Sequence, residues 1–534
     1  MTMVLNREGV PAFRRPLEEQ AVQVLMTGNL QGTFYAGREQ LASEAVEVLE
    51  ALASRDPQLL ARMAVYAREA GCLRLLPTLG VAVLSKHTEG DLFDRVFDRV
   101  VTTPREVRDY LDVVGRVRAG LGRRGKRALS RFLRGLSEHH LLKYARVDLR
   151  DALRLARPRP QSPREEVLFR LIGGGLTSGS DEEVRRHLPQ VAAWRELREC
   201  RDSARRAALV EEGALPWEAV TAIRRPSKPV WRALSRNMPL MALLRNLAAL
   251  LRHGAISGPE EAREVAARLT DPGAIRSARI LPFRFQMARK ALDLRNPGEA
   301  SHLRLWTDGP PSGLQGAAMD AAQAGARLVL DQALGQALEV SMEDLLPLEG
   351  PVCLAPDISG SMSCPLSAQG TTRYVDIAAL FAAALARRQG SDVVMLPFNH
   401  KVQPFRLWAG ETTSVLAERL AGLCDGGTRL AAPLERLLDD GMRVRHFVGI
   451  TDCEEWTDQE RGGFLAFWRR YRAEVAPEAR ATLLTLAPYR DAVTPVEEPG
   501  VTFYYGWSEA VLRYMNLRAS GGMQLDAVRA WPFE

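Results

Sequence analysis

Three oxygen-bearing side chains alternate in a short stretch that follows an apolar run. Asp357, Ser359 and Ser361 are separated by single residues, and the apolar sequence PVCLA precedes them. A short apolar run bounded by Gly350 and Pro356 is typical of a buried strand. One carboxylate and two hydroxyls on the loop after a strand are hard oxygen donors, which can hold a cation such as Mg²⁺.

Two further oxygen donors occur at comparable positions later in the chain. Thr428 lies in the loop sequence GGTRL, and Asp452 directly follows the apolar run HFVGIT. The alternative interpretation of the first stretch is a serine-rich turn that caps the helix predicted to begin near Tyr374. On DxSxS alone the two interpretations have equal weight. With Thr428 and Asp452 added after matching elements, the sequence favours a metal site.

This combination of DxSxS, a loop threonine and a strand-end aspartate resembles the metal-ion-dependent adhesion site of von Willebrand factor A domains. The resemblance implies that the hydroxyls of Ser359 and Ser361 ligate the cation, and that Thr428 does so directly or through water. Asp357 and Asp452 would complete the shell, partly through water. Mg²⁺ is the expected cation and Ca²⁺ the alternative. Neutral ligands leave the ion electrophilic, so an outside carboxylate or phosphate can take an open position.

Motifs for catalysis are missing from the sequence. It contains no G-x-S-x-G elbow, no GxxxxGK[ST] phosphate loop and no HExxH pair. His400 and His446 are interpreted as solvated or packed histidines. A nuclease would need acidic ligands clustered for two-metal chemistry, whereas the donors here are mostly hydroxyls. We therefore expect a protein that is not an enzyme and has no catalytic residues.

The elements that must position these donors change in character near residue 350. Up to about residue 340 the pattern predicts one amphipathic helix after another, and no convincing strand. Beyond it, apolar runs alternate with helical segments, which predicts a parallel sheet covered on both faces, with ligands at the carboxyl ends of its strands. We predict an α plus α/β protein, with an all-α HEAT-like helical-repeat domain over residues 1–345 and a Rossmann-like A domain over residues 346–534.

Composition and charge indicate an intracellular protein with an anionic partner. The chain has 534 residues and six cysteines without CxxC spacing, which is typical of a reducing compartment. We find no apolar run of about 18 residues and no signal-peptide core, so we expect a cytoplasmic protein without a membrane span. Residues 1–349 carry a net charge of +10 and the remainder −3, which indicates a polyanion as the partner of the first part.

The positive charge is concentrated in one stretch. Between Arg116 and Arg164 there are fifteen Lys or Arg residues and three acidic residues. Arg146, Arg150, Arg154 and Arg157 recur every three or four residues, which on a helix places them along one face. Such a face can contact several phosphates, although a solvated arginine surface is the simpler alternative. The low number of acidic residues favours nucleic acid.

Five blocks of the sequence are similar, in this order, to landmarks of the TROVE module. They are QGTFYAGREQLASEAVEVL, HLLKYARVDLRDALRLARPRP, LPWEAV, MPLMALLRNLAALLRHG and LPFRFQMARKAL. In the Ro ribonucleoprotein family this module precedes a von Willebrand A domain. The resemblance implies a ring of helical repeats closed by the A domain. It further implies a small noncoding Y-type RNA on the outer surface and single-stranded 3′ ends of misfolded or structured RNA in the ring. An exoribonuclease is the expected protein partner.

Within this resemblance, Lys143 and Tyr144 match a Lys-Tyr pair that contacts RNA, Arg146 is the nearest basic residue, and Arg157 stands where the family has a histidine. Arg245 and Asn246 could face the ring interior. The predicted RNA-binding set also includes neighbouring basic residues, namely Arg123, Arg124, Lys126, Arg127, Arg150 and Arg154. The rival hypothesis is a metal-dependent protein interaction module, with an adhesion or ATPase partner and no specific RNA.

Overall fold

The computed structural model describes thirteen parts of the chain: 3–7, 9–27, 33–88, 90–117, 120–223, 225–280, 282–292, 321–343, 345–366, 372–455, 463–507, 511 and 524–533. The chain forms two compact units. One contains Met1–Gly80 and Met342–Glu534, and the other contains Val81–Ser341. One unit boundary thus lies close to the predicted division at residue 345, while the first 80 residues pack with the C-terminal part of the chain.

The described residues from 17 to 341 fold into successive helices, as the pattern predicted. The helices are α1 Leu17–Thr27, α2 Arg38–Arg55, α3 Pro57–Glu69, α4 Leu75–His87, α5 Leu92–Val100, α6 Pro104–Val117, α7 Gly122–Arg134, α8 Glu138–Lys143, α9 Arg150–Ala156, α10 Pro163–Gly174, α11 Asp181–His187, α12 Pro189–Glu199, α13 Ser203–Glu212, α14 Trp217–Thr221, α15 Lys228–Asn237, α16 Leu240–Arg252, α17 Pro259–Leu269, α18 Pro272–Ala278, α19 Pro282–Leu292 and α20 Ala321–Ser341.

Local sequence explains why these helices begin where they do. The Ser162 hydroxyl accepts the backbone N–H of Glu165 at the start of α10, and Ser180 does the same for Glu183 in α11. Such caps satisfy amide groups that have no partner inside the helix. Helices adjacent in sequence then pack on each other, as α11 does with α12 and α12 with α13. The second unit is therefore a helical-repeat structure.

A five-stranded parallel sheet forms the centre of the first unit. Its strand order is β4-β3-β5-β6-β8. The strands are β3 Val352–Pro356, β4 Val393–Met395, β5 His446–Thr451, β6 Arg480–Thr485 and β8 Val501–Tyr505. Helix α21 Tyr374–Gln389 lies between β3 and β4, helices α22 Thr413–Ala421 and α23 Ala432–Asp439 lie between β4 and β5, and α24 Phe464–Glu474 lies between β5 and β6. A last helix spans Gln524–Arg529. The predicted strands and the doubly wound A-type domain are confirmed.

The order of the strands fixes where a ligand can bind. From β3 the chain crosses first to β4 on one side and later to β5 on the other. A crevice opens where successive connections leave a parallel sheet in opposite directions, at the carboxyl ends of the strands. Asp357 follows β3 and Asp452 follows β5. Two of the five predicted metal ligands therefore lie at this switch point.

The expectation of no strand before residue 350 is wrong. Strand β1, Met3–Leu5, pairs with β2, Pro11–Arg14, and β2 pairs with β7, Asp491–Ala492, in an antiparallel sheet. Each strand has at most four residues, so no alternation of polar and apolar residues can develop in it. The partner that stabilises β2 also comes from the far end of the chain, which a local pattern cannot reveal.

A buried arginine anchors this N-terminal segment to the rest of its unit. Arg15 is 1% exposed and donates hydrogen bonds to the carbonyls of Tyr489 and Asp491 and to the Gln23 side chain. Its guanidinium also lies 5.3 Å from the centre of the Phe503 ring. A buried cation is tolerated only with partners of this kind. The first residues of the chain are thus part of the A-domain unit.

Candidate metal centre and candidate RNA-binding surface

The aspartate after β3 is held on both carboxylate oxygens. Asp357 is fully buried, and its backbone N–H extends the sheet by donating to the Ile450 carbonyl at 2.9 Å. The backbone N–H of Ser359 donates to Asp357 Oδ1 at 2.9 Å, and the Thr451 hydroxyl donates to Oδ2 at 2.7 Å. The carboxylate is therefore fixed in place at the end of the two central strands.

The two predicted serine ligands connect this aspartate to the one that follows β5. The hydroxyl oxygens of Ser359 and Ser361 are 3.2 Å apart, and the Ser361 side chain hydrogen-bonds to Asp452. Asp452 Oδ1 also accepts the Glu454 N–H at 3.1 Å. The structure therefore brings four of the five predicted ligands into one hydrogen-bonded cluster.

The loop that carries Thr428 packs directly on the serine turn. The Gly360 N–H donates to the Gly426 carbonyl at 2.7 Å, and the Asp425 N–H donates to the Ile358 carbonyl at 2.8 Å. Gly426 has a φ of 75°, a conformation that glycine adopts without steric cost. Thr428 is 2% exposed two residues later. The fifth predicted ligand is thus a buried residue of a loop that hydrogen-bonds to the serine turn.

The electrostatics of this cluster fit a divalent cation. Burial raises the pKa of Asp357, and burial together with the nearby Asp357 charge raises the pKa of Asp452. Two buried carboxylates repel each other, and a cation between them would remove both the repulsion and the cost of desolvation. Two carboxylates with three hydroxyls form an all-oxygen donor set that suits Mg²⁺ or Ca²⁺. A bound ion would supply an electrophilic open coordination position.

Sequence reasoning missed two acidic residues beside this cluster. Glu454 and Glu455 follow Asp452 directly, and both are buried. Burial raises the pKa of each carboxyl to about 7. The Glu454 carboxylate accepts the Arg7 N–H at 3.2 Å, which connects it to the N-terminal segment. The only sequence signal was the acidic pair in DCEEW, adjacent to a predicted ligand.

The predicted single helical face of arginines is wrong. Arg146 lies in the turn between α8 and α9, and α9 contains only Arg150 and Arg154 of the four. Arg157 follows α9 with a left-handed backbone, φ 47° and ψ 53°, so the helix ends before it. The spacing alone could not show that the chain would leave the helix after Lys143 and begin a new one at Arg150. The arginines nevertheless remain exposed.

The predicted RNA-binding residues on α9 differ in how their charge is compensated. Arg150 makes an ion pair of 2.7 Å with Asp148, and the hydrogen bond from Arg150 lowers the pKa of Asp148 to about 2. Arg154 lies 3.8 Å from Asp151, and both side chains are about three-quarters exposed, so this pair is weak. Arg154 is therefore better placed than Arg150 to meet a phosphate.

On α7 the predicted set divides in the same way. Arg123, Lys126 and Arg127 are exposed. Arg124 is half-buried and donates a hydrogen bond to the Thr88 carbonyl, so it stabilises the packing of the helical unit. Three of these four residues therefore present their charge to solvent.

Lys143 and Tyr144 are half-buried at the end of α8. The Lys143 ammonium lies 5.7 Å from the centre of the Tyr144 ring. The pKa of Glu218 on α14 is raised by burial, and the nearby positive charges of Lys143 and Arg245 offset part of this rise. Lys143 therefore has an acidic neighbour, and it lies in a mixed charge cluster of α8, α14 and α16.

A cleft of about 120 Å³ lies between α16 and α19 in the helical unit. Apolar side chains such as Met241, Leu244 and Met287 line it, and Arg245, Arg252 and Arg284 contribute the charged part of its lining. Asn246, which could have faced a ring interior, is 4% exposed and its amide donates to the Ala242 carbonyl at 2.8 Å. Of the two residues expected there, only Arg245 is exposed.

The fold and the cluster define a protein that joins a helical-repeat unit to a von Willebrand factor A-type domain. Residues 212–304 match the model of the TROVE domain, and residues 351–516 match that of the Ro60 vWA domain. The predicted resemblance is confirmed, because both family models match, in the predicted order along the chain.

One curated relative and one solved structure are similar to this chain. The chain is 26% identical over 478 residues to "RNA-binding protein RO60" of Deinococcus radiodurans, a match that covers 85% of this chain and 84% of that protein. The crystal structure of the Deinococcus radiodurans RO (RSR) protein superposes with a TM-score of 0.65 at 22% identity, over 94% of this chain and 99% of the other. Among the helices that the structure describes, none combines the length and apolar character needed to cross a membrane.

Proposed function

We propose that this protein is an RNA-binding scaffold of a small ribonucleoprotein and not an enzyme. The observation that carries the proposal is the exposed basic surface of α7 and α9, in a stretch with fifteen basic and three acidic residues. A surface of this charge binds phosphates through release of their counterions. The TROVE match and the RNA-binding relative support RNA as the polyanion.

For the basic surface we propose a structured Y-type RNA as the ligand. Arg123, Lys126, Arg127 and Arg154 present exposed charges that can contact phosphates along a duplex. Arg157 is a donor only and cannot accept a hydrogen bond from a base, as a neutral histidine can. Arg157 would therefore position the RNA through phosphates, and base recognition would fall to other contacts.

We propose the cleft between α16 and α19 as the site for single-stranded 3′ ends of misfolded or structured RNA. Neither helix contains an acidic residue, and Arg245, Arg252 and Arg284 line the cleft together with mostly apolar side chains. A nucleotide of a single strand presents an apolar base face and an anionic phosphate, which fit such a lining. Guanidinium groups also stack on base faces. A base that is stacked and paired in a duplex does not present its face to such a cleft.

Replacing one arginine on each wall of the cleft tests this site. The double variant Arg252→Gln, Arg284→Gln should bind a ten-nucleotide oligouridylate at least about 100-fold more weakly, because each lost charged contact contributes about 1.5–3 kcal/mol. Its binding of a blunt RNA duplex should not change. Fluorescence anisotropy measures both, with Arg185→Gln, Arg186→Gln as the matched control, an exposed pair on α11. Unchanged oligouridylate affinity in the folded cleft variant would contradict the assignment.

The A domain supplies the second part of the proposal. With Mg²⁺ held by Asp357, Ser359, Ser361, Thr428 and Asp452, an open coordination position would accept a carboxylate of a protein partner. We propose an exoribonuclease as that partner, which would degrade the RNA that the helical unit holds. The structure contains six free cysteines, which is in keeping with the proposed cytoplasmic location.

Sequencing the RNA that copurifies with the protein at low salt tests the function as a whole. We expect one dominant small structured RNA, which should be released as the salt concentration rises. The rival function is a metal-dependent protein interaction module that binds no specific RNA, and the metal cluster is the observation in its favour. The rival would be supported instead if only random RNA fragments copurified and if a second protein copurified only in the presence of Mg²⁺.

A further inference from the structure

Glu455 connects the segments that carry two of the proposed metal ligands. It lies three residues after Asp452 and is 5% exposed. Its carboxylate accepts the backbone N–H of Ala431 at 3.1 Å and that of Phe464 at 3.2 Å. Ala431 in turn lies three residues after Thr428, where α23 begins. One buried side chain thus holds the Thr428 loop against the segment that contains Asp452.

Hydrogen bonds to the N-terminal segment restrain the same residues from the other side. The Asn6 amide donates to the Glu455 carbonyl at 2.8 Å, and the Arg7 N–H donates to the Glu454 carboxylate at 3.2 Å. Cys453 has a φ of 64°, which is uncommon for a residue other than glycine and is maintained only by surrounding contacts. The segment after Asp452 is therefore fixed by its neighbours and has little freedom to relax.

We propose that Glu455 is a positioning residue that makes the metal centre selective for Mg²⁺ over Ca²⁺. The inference rests on the proposed metal site. Mg²⁺ requires near-ideal octahedral geometry with short bonds, whereas Ca²⁺ accepts more ligands, longer bonds and variable angles. If the segments that carry the ligands can move apart, the site should lose affinity for Mg²⁺ before it loses affinity for Ca²⁺. Glu455 opposes that separation because it hydrogen-bonds to the backbone at the start of α23 and of α24.

The variant Glu455→Gln tests this role with little change in volume. An amide oxygen can accept one of the two backbone N–H groups, but the amide nitrogen is a donor and leaves the other without an acceptor. Mg²⁺ affinity should fall by about 10–100-fold, as for other residues that orient metal ligands. Ca²⁺ affinity should fall by less than about threefold, because Ca²⁺ tolerates looser geometry.

Isothermal titration with each ion alone measures both affinities, at pH 8 so that the Glu455 carboxyl, with its pKa of about 7, is ionised in the wild type. Glu498→Gln is the matched control, since Glu498 is also a buried acid with two hydrogen bonds, both to Arg469. That variant should leave the ratio of the two affinities unchanged. Circular dichroism confirms that each variant is folded.

The outcomes separate the inference from the site on which it rests. A lower Mg²⁺ affinity with retained Ca²⁺ affinity supports the positioning role. Equal losses for both ions, or no loss, overturn it. If Glu455→Gln does not fold, Asn6→Ala is the second variant, because it removes the hydrogen bond to the Glu455 carbonyl. It should lower the ratio of Mg²⁺ to Ca²⁺ affinity by a smaller factor. An unchanged ratio in that variant overturns the inference. If the wild type binds neither ion, the metal site itself is wrong and the inference fails with it.

Discussion

Neutralising Lys143 and Arg146 together should reduce the affinity of the protein for a structured small RNA by at least about 100-fold at moderate salt. Each lost charged contact to a phosphate is expected to remove about 1.5–3 kcal/mol of binding free energy. The slope of log K against log salt should also become shallower by about 0.7–0.9 for each contact, depending on strand form. Filter binding at several salt concentrations measures both quantities.

The structure determines how this variant should be made. Lys143 lies near Glu218, so a glutamate at position 143 would repel that carboxyl and perturb the packing of α8 on α14. Glutamine at both positions removes the positive charge without this repulsion. The exposed pair Arg185→Gln, Arg186→Gln carries the same change of charge on α11 and should retain most of the affinity.

A folded Lys143→Gln, Arg146→Gln variant with the affinity and salt slope of the wild type would show that these residues do not contact RNA. The exposed residues of α7, Arg123, Lys126 and Arg127, would then be the next positions to neutralise. Circular dichroism is the control for folding, because Lys143 is half-buried, whereas substitutions at exposed positions such as Arg146 usually change stability by about 0.5 kcal/mol or less.

Replacing Asp452 by asparagine should have the second large effect. The variant should lose the stabilisation that Mg²⁺ gives, whereas without metal it should be more stable than the wild type. Mg²⁺ binding should be abolished, because the site loses one of its two carboxylates. The metal-free protein should become more stable, because the variant removes a buried charge that repels Asp357. The asparagine oxygen can still accept the Glu454 N–H, so the local structure should persist.

Thermal unfolding with and without Mg²⁺ measures both parts of this prediction. At a hundredfold excess over its Kd, Mg²⁺ should stabilise the wild type by about 2.7 kcal/mol. For a unit of this size that corresponds to a rise in Tm of roughly 5 °C, and the variant should show none. Asp439→Asn, at an exposed acid of the same unit, is the matched control. A wild-type response to Mg²⁺ in Asp452→Asn would remove Asp452 from the metal site.

The amino-acid sequence by itself determined the strands of the A domain and the location of its candidate ligands. A fully buried parallel strand is recognisable because it is a short apolar run bounded by polar and turn residues. A donor that directly follows such a run must lie at the carboxyl edge of the sheet. Asp357 and Asp452 could therefore be placed at one edge before the order of the strands was known.

Only the tertiary structure decided which contacts complete that site and which charges remain available. Strand β2 pairs with β1 on one side and, on the other, with β7, which lies more than 470 residues later in the chain. The role proposed for Glu455 depends on backbone N–H groups at the start of α23 and of α24, which both donate to its carboxylate. Asp148 lies between α8 and α9, where it forms an ion pair with Arg150, although the spacing of the arginines predicted one continuous helix there. Hydrogen-bond partners distant in sequence, and the local geometry of turns, leave no periodic pattern from which they could be predicted.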